Sequence, residues 1–205
     1  MIKAVATDVD GTITDDKSIV SLAAISAIRD LERKGIKVML CSGNALCVLK
    51  TLARYTGCTG PSIAENGAVI EYKGKVKIIG QKGLARMAVG SLKEEYGDRV
   101  KEAWSNAYRN GDAAILRTLE LAEVERVVQR IKGLKVIDSG FAYHIIDSRI
   151  NKGVGVAKAA EWAGIETRDM AGVGDSVTDC ELLSSTSFKC AVANAHSELR
   201  KIADM

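Results

Sequence analysis

The sequence lacks the residues that build disulfide frameworks and most zinc sites. Its 205 residues include five cysteines, an odd number, and none of them forms a C-x-x-C pair. Only two histidines are present, His144 and His196, which excludes a His-rich metal site. Cysteines without such a framework are typical of proteins kept in a reducing compartment. We therefore expect a cytoplasmic protein without structural disulfides.

Long apolar runs and clusters of basic residues are also missing. No stretch approaches the roughly 18 apolar residues that a membrane span needs, and the chain does not open with a basic-then-apolar leader. Lys and Arg number 29 against 26 Asp and Glu, and they are scattered, unlike the basic patches of nucleic-acid-binding proteins. We expect neither a membrane nor a nucleic acid as partner. The loops G-x-x-x-x-G-K-[ST] and G-x-G-x-x-G are absent, which argues against a nucleotide-binding module.

Short apolar runs alternate with helical patterns at both ends of the chain. A run of apolar residues predicts a buried strand, and apolar residues three or four apart predict a helix. Strands are predicted at 2–9, 36–40, 62–64, 170–173 and 189–192, and helices at 21–34, 45–55, 153–163 and 179–183. Alternating strands and helices of this length favour a parallel sheet covered on both faces. The fold class is therefore α/β, with a Rossmann-like, doubly wound core.

The middle of the chain has a different pattern. Helices are predicted at 84–96 and 121–131, and strands at 113–119, 135–139 and 142–147. Breaks near Gly83 and Asn151 flank this set. We expect a smaller α+β module at residues 83–150, inserted into a core made of residues 1–82 and 151–205.

Acidic residues follow two of the predicted core strands. Asp8 and Asp10 end the first strand, and Asp175 and Asp179 follow the strand at 170–173. Each pair alone could be turn or capping chemistry. Because ligands of such sheets bind at the carboxyl ends of the strands, the four carboxylates are expected to meet there. Clustered carboxylates require a counter-charge, and Mg2+ prefers oxygen ligands, so the pattern predicts a Mg2+ site.

Small polar residues near other strand ends indicate an anion site beside this metal. Gly11 brings its N–H close to an anion, and Ser42, Gly43 and Asn44 follow the second strand directly before a helix. Lys152 precedes a later helix and can place a positive charge on a phosphate. Ser42 could equally cap the helix, and Lys152 could be a surface charge.

Four motifs, taken in order, resemble those of the haloacid dehalogenase-like phosphatase superfamily. They are Asp8-Val9-Asp10-Gly11-Thr12, Ser42-Gly43, Lys152 and Gly174-Asp175-Ser176-x-x-Asp179. The insert resembles the α/β cap domain of a subgroup that includes sugar phosphatases, phosphomannomutases and archaeal phosphoglycolate phosphatases. Glu65-Asn66-Gly67-Ala68 and Asn151-Lys152-Gly153 are also typical of that subgroup. Overall the chain looks closest to the archaeal phosphoglycolate phosphatases.

The resemblance implies a role for each acidic residue. Asp8 would be the nucleophile, and Asp10 would protonate the leaving group and then activate water. Mg2+ would be held by Asp8, by the backbone carbonyl of Asp10 and by Asp175. Asp179 would either belong to the metal site or orient Lys152. Lys152 itself would be a catalytic residue.

The resemblance also implies which residues hold the substrate, a small phosphorylated metabolite. The residues expected to bind phosphate are Gly11, Ser42, Gly43, Asn44, Lys152 and Asn194. For Asn194, a helix cap is an equal alternative. In the cap, Arg117, His144 and Arg149 are candidates for binding a substrate carboxylate. The exposed face of the cap would also allow a homodimer.

The expected activity is Mg2+-dependent hydrolysis of 2-phosphoglycolate to glycolate and phosphate through an aspartyl-phosphate. A sugar phosphatase or a phosphomannomutase-like enzyme is the alternative within the superfamily. Outside enzymes, receiver-type signalling domains also have a phosphorylated aspartate in an acidic Mg2+ pocket. Receivers are shorter, however, and lack an inserted cap.

Overall fold

A computed structural model describes all 205 residues as ten strands and seven α-helices. The strands are β1 (Ala4–Thr7), β2 (Lys37–Leu40), β3 (Ser62–Ala64), β4 (Val69–Tyr72), β5 (Lys75–Ile78), β6 (Ala113–Leu116), β7 (Leu134–Asp138), β8 (Ala142–Asp147), β9 (Met170–Gly174) and β10 (Phe188–Ala191). The helices are α1 (Leu22–Arg33), α2 (Leu46–Thr56), α3 (Lys82–Tyr96), α4 (Leu121–Val128), α5 (Lys152–Ala163), α6 (Cys180–Ser184) and α7 (Ser197–Ile202). None of these helices is both long and apolar enough to span a bilayer.

The core is a four-stranded parallel sheet with the strand order β10-β9-β1-β2. A parallel bridge between Cys41 and Ile63 places β3 beside the β2 edge. From there β3, β4 and β5 continue as an antiparallel meander, with a hairpin turn at Lys73 and Gly74 between β4 and β5.

Helices cover both faces of the core sheet. Side chains alternate along a strand, and in β2 Val38 and Leu40 join a cluster with residues of α1 and α2. Met39, together with Cys41 just beyond the strand, faces the other side, where α5, α6 and α7 pack. Both sets are buried, which explains why this strand reads as a continuous apolar run. The predicted doubly wound fold with an additional α+β region is confirmed.

The inserted segment forms an antiparallel sheet of its own, with the order β6-β8-β7. Helices α3 and α4 cover one face of this sheet, and their apolar residues form a separate core cluster with Ala113, Ile115, Tyr143 and Ile145. The opposite face, with Ala114 and His144, lines a cavity above the core. We keep boundaries of 83–150 for the cap and 1–82 with 151–205 for the core as a proposal.

Two elements differ from those predicted from the sequence: one strand is shorter, and one helix was not predicted. The strand predicted to reach residue 119 ends at Leu116, where the Thr118 N–H donates back to the Leu116 carbonyl at 2.8 Å, and α4 then begins after Glu120 with a capping box to Glu123. The short helix α7 was not predicted from the sequence. It has only six residues, and its one buried residue, Leu199, packs into the core cluster.

Candidate active site

The loops after β1 and β9 bring three carboxylates together. These strands pair in parallel, with Thr7 opposite Val173, and the Asp8 N–H donates to the Val173 carbonyl at 2.9 Å. Both loops therefore leave the sheet at the same edge. Carboxylate oxygens of Asp8, Asp175 and Asp179 all lie within 4.8 Å of one another. These three residues therefore converge at one edge of the sheet, as expected from the sequence.

The ammonium group of Lys152 lies between two of these carboxylates. Lys152 is the first residue of α5, whose N-cap Asn151 accepts a hydrogen bond from the Val154 N–H at 2.8 Å. Its Nζ is 2.6 Å from Asp8 Oδ1 and 2.6 Å from Asp179 Oδ1. Burial opposes the positive charge, but the two carboxylates outweigh burial and raise the pKa of Lys152. Lys152 is therefore a buried cation and not a surface charge.

Asp179 is fully engaged by protein donors. Its Oδ1 pairs with Lys152, and its Oδ2 accepts from the backbone N–H groups of Asp175 and Ser176 at 3.1 and 3.0 Å, and from the Ser176 hydroxyl at 3.1 Å. Of the two roles expected for Asp179, this arrangement favours orientation of Lys152 and of the Asp175 loop.

The charge of the cluster suits a divalent cation. The three carboxylates and the single ammonium of Lys152 leave a formal charge of minus two. Burial raises the pKa of Asp8 to about 7, and the neighbouring Asp179 and Asp175 add to the rise while Lys152 opposes it. Asp8 Oδ2 and Asp175 Oδ1 accept only from the Thr12 hydroxyl, at 3.2 and 3.1 Å. Oxygen donors with excess negative charge are the environment that Mg2+ prefers.

The Asp10 carboxylate points away from this cluster, toward the loop after β2. Its Oδ2 accepts from Ser42 Oγ at 3.2 Å and from Asn44 Nδ2 at 2.8 Å. Its Oδ1 has no protein donor, and the residue lines the cavity under the cap. The Asp10 side chain is thus available to a ligand in the cavity and is not part of the three-carboxylate cluster.

Gly11 allows the first motif to approach the last. Its φ is +85°, and a Cβ at this position would lie 2.5 Å from Asp175 Oδ2. Only glycine fits both the conformation and the space. Asn194 Nδ2 donates to the Gly11 carbonyl at 2.8 Å, whereas the N-cap of α7 is His196. Asn194 therefore holds the Gly11 loop and does not cap a helix.

The loop after β2 is organised by the Ser42 hydroxyl. Ser42 is buried, and its Oγ accepts from the Asn44 backbone N–H at 3.0 Å and from Asn44 Nδ2 at 3.1 Å. Helix α2 starts later, with Ala45 as its N-cap and no side-chain capping bond. The alternative explanation of Ser42 as a plain helix cap is therefore wrong.

A cavity of about 320 Å³ separates the cap from these loops. The core contributes Asp8, Asp10 and Lys152 to its lining, and the cap contributes Arg109 and His144. The small size and the polar lining suit a small charged ligand.

Only one of the three cap residues predicted to bind a carboxylate lines this cavity. His144 does, but Arg117 and Arg149 are exposed and pair with Asp138 and Asp147 outside it. Sequence reasoning missed Arg109, which is 4% exposed. A single arginine in an aperiodic polar loop carries no signal that separates it from a surface residue.

The sequence profile of the haloacid dehalogenase-like hydrolases matches residues 5–123 and 115–205. The chain belongs to this family. A protein of Methanothermobacter thermautotrophicus named phosphoglycolate phosphatase is 37% identical over 203 residues, which cover 99% of this chain and 90% of that protein. A protein of the same name from Archaeoglobus fulgidus is 35% identical and covers 99% of this chain and 89% of its own length.

Two solved structures have the same fold as this chain. Protein 0175 of Thermoplasma acidophilum superposes with a TM-score of 0.90 at 26% identity, covering all of this chain and 90% of that chain. A haloacid dehalogenase-like hydrolase from Bacteroides thetaiotaomicron superposes with a TM-score of 0.83 at 16% identity, covering 100% of this chain and 93% of that chain, and shows the fold alone. The predicted family and the prediction of an enzyme, a phosphoric monoester hydrolase, are confirmed. The signalling-domain alternative is thereby wrong.

Proposed function

We propose that this hydrolase is a Mg2+-dependent phosphatase that converts 2-phosphoglycolate to glycolate and phosphate through an aspartyl-phosphate on Asp8. The observation that carries the proposal is the buried placement of Asp8 beside Lys152 and Asp175. Full-length relatives named phosphoglycolate phosphatase support the choice of substrate. The small polar cavity supports a small phosphorylated metabolite.

The residues at the site fit a Mg2+ ion. Asp8 and Asp175 would hold it with their oxygens that are not engaged by Lys152, and the Asp10 backbone carbonyl is the third proposed ligand. When bound, the ion neutralises charge on the phosphoryl group. Asp179 supports this set by orienting Lys152 and the Asp175 loop.

In the first half-reaction, a carboxylate oxygen of Asp8 attacks phosphorus and the bond from phosphorus to the ester oxygen breaks. Asp10 gives its proton to the leaving alkoxide, which departs as the alcohol group of glycolate. Ser42, the Gly43 N–H and Lys152 supply fixed donors for the charge on the transferring group. Asn44 keeps Asp10 and Ser42 in contact with each other.

In the second half-reaction, the now ionised Asp10 takes a proton from water, and that water attacks the phosphorus of the aspartyl-phosphate. The bond between phosphorus and Asp8 breaks, which releases phosphate and restores the Asp8 carboxylate. The Asp10 oxygen without a protein donor is available for both proton transfers. The cap excludes bulk water from the first half-reaction.

A phosphate-release screen with Mg2+ tests this proposal. The panel contains 2-phosphoglycolate, sugar phosphates and nucleotides, and we expect the highest kcat/KM for 2-phosphoglycolate. The Asp8→Asn variant should release no phosphate while its circular dichroism spectrum stays that of the wild type. Turnover by this variant would reject Asp8 as the nucleophile, and turnover in excess chelator would reject the metal. Isomerised sugar phosphate without free phosphate would identify a mutase instead.

A further inference from the structure

A buried cluster of three cap residues faces the cavity from the side opposite the motifs. Arg109, Asp112 and His144 are each less than 5% exposed. Arg109 follows the short turn at Trp104–Tyr108, and Asp112 directly precedes β6. His144 lies on β8, on the sheet face that α3 and α4 leave uncovered. The cluster is not part of the four sequence motifs.

Asp112 anchors the two other members of the cluster. Arg109 Nη1 donates to both Asp112 carboxylate oxygens, at 2.9 and 3.0 Å, and His144 Nδ1 is 3.1 Å from Asp112 Oδ2. Burial opposes the negative charge of Asp112, but the hydrogen bond from His144 and the charge of Arg109 outweigh burial and lower its pKa. An ionised carboxylate thus fixes the guanidinium and the imidazole in one orientation.

Two nitrogen atoms of this cluster remain without a partner in the protein. Arg109 donates from Nε to Ser105 and from Nη1 to Asp112 and Gly43, but its Nη2 makes no hydrogen bond. His144 uses Nδ1 and leaves Nε2 free. Both side chains line the cavity. The Nη2 donor of the Arg109 guanidinium is therefore open to the cavity, with the His144 ring beside it, and is complementary to an anionic acceptor on a bound ligand.

The cluster lies close to the phosphate-binding loop and is held rigidly against it. Arg109 Nη1 donates to the Gly43 carbonyl at 3.0 Å, and Gly43 is one of the proposed phosphate donors. The Glu65 carboxylate of the core accepts from the backbone N–H groups of Asn110 and Gly111, at 2.9 and 2.6 Å. A ligand that reaches both the phosphate loop and Arg109 is therefore short.

We propose that Arg109, with His144 beside it, binds a carboxylate on the leaving-group side of the substrate and selects short phosphorylated acids over neutral phosphate esters. The planar guanidinium edge matches the geometry of a carboxylate. This inference rests on the proposed function and assigns the residues that distinguish its substrate. The rival explanation is that the cluster only joins the cap to the core.

The test compares two esters that differ only in the carboxylate. We measure kcat/KM for 2-phosphoglycolate and for 2-hydroxyethyl phosphate, which has the same length but a neutral end, in the wild type and in Arg109→Lys. Lysine keeps the positive charge but loses the free Nη2 donor. The ratio of the two kcat/KM values should fall about 10- to 100-fold, the usual loss for a hydrogen bond to a charged group, mainly through the KM for 2-phosphoglycolate. A purely structural role lowers both values equally, and an unchanged ratio would overturn the proposal.

Two further variants make the test specific. His144→Gln should also lower the ratio of kcat/KM for 2-phosphoglycolate to that for 2-hydroxyethyl phosphate. If Arg109→Lys does not fold, this variant alone tests the carboxylate site. Arg117→Lys is the matched control, since Arg117 is exposed and pairs with Asp138 outside the cavity, and its ratio should equal that of the wild type. A wild-type enzyme that prefers other phosphorylated acids to 2-phosphoglycolate rejects the proposed substrate but supports the carboxylate site. A wild-type enzyme without any preference for acids over neutral esters rejects the site.

Discussion

Replacing Asp8 by Asn should stabilise the metal-free protein at neutral and alkaline pH while it abolishes activity. Burial raises the pKa of Asp8 from its ordinary value of 3.8 to about 7. The folded state therefore binds the Asp8 proton more tightly than the unfolded state does. The stability from this proton is fully present below about pH 3.8 and is lost as the pH rises through about pH 7. Asparagine is neutral throughout and avoids this loss.

The size of the effect follows from the shift. A rise of roughly three pKa units corresponds to about 4 kcal/mol at 1.36 kcal/mol per unit, and the attraction of Lys152 is already included in the shifted value. We therefore expect the free energy of unfolding of Asp8→Asn to exceed that of the wild type by about 2–4 kcal/mol near pH 8. The difference should shrink toward zero near pH 4.

Urea denaturation in excess chelator, repeated at several pH values, measures this difference. The exposed Asp16 makes no side-chain hydrogen bond or ion pair, so Asp16→Asn is the control and should change the free energy of unfolding by less than about 0.5 kcal/mol. Saturating Mg2+ should stabilise the wild type more than Asp8→Asn, since a ligand stabilises the state that binds it. An Asp8→Asn protein no more stable than the wild type near pH 8, or a gain that falls with rising pH, would refute the reasoning.

Three further substitutions test other contacts of the site. Lys152→Met leaves buried carboxylates without their counter-charge and should lower the free energy of unfolding by about 3–5 kcal/mol. The control is Lys158→Met, on the exposed face of α5. Equal urea midpoints for the two variants would contradict the prediction. Gly11→Ala imposes a φ of +85° on alanine and a clash with Asp175. Thermal denaturation should therefore show a loss of about 1–3 kcal/mol in the free energy of unfolding, and an unchanged melting temperature would contradict the close approach of Gly11 to Asp175. Asp10→Asn should lower kcat by about 10²- to 10⁴-fold, and wild-type phosphate release would exclude Asp10 as acid and base.

The periodicity of the sequence was sufficient to predict the α/β core and its inserted α+β module. Buried strands read as apolar runs, and helices such as α1 show apolar residues at helical spacing, because these patterns depend on neighbours within a few residues. The predicted bounds of β3 and β8 agree with the structure, whereas α7 escaped prediction because its six residues are too few for a periodic pattern.

The motifs of the sequence also predicted that Asp8, Asp175 and Asp179 would meet, since the ends of parallel strands share one edge of the sheet. The expectation that the Asp10 carboxylate would join them was wrong, because it is held by Ser42 and Asn44. Which atoms pair with which was decided by the tertiary structure alone. Lys152 and Asp8 are 144 residues apart in the chain, yet Lys152 Nζ lies 2.6 Å from Asp8 Oδ1. This contact depends on where α5 begins above the sheet. In the same way, Asp179 Oδ1 accepts from Lys152 of a different segment, and Arg109 of the cap donates to the Gly43 carbonyl of the core. Local patterns determine where strands and helices form, but the hydrogen-bond partners of a polar side chain are chosen only when distant segments pack together.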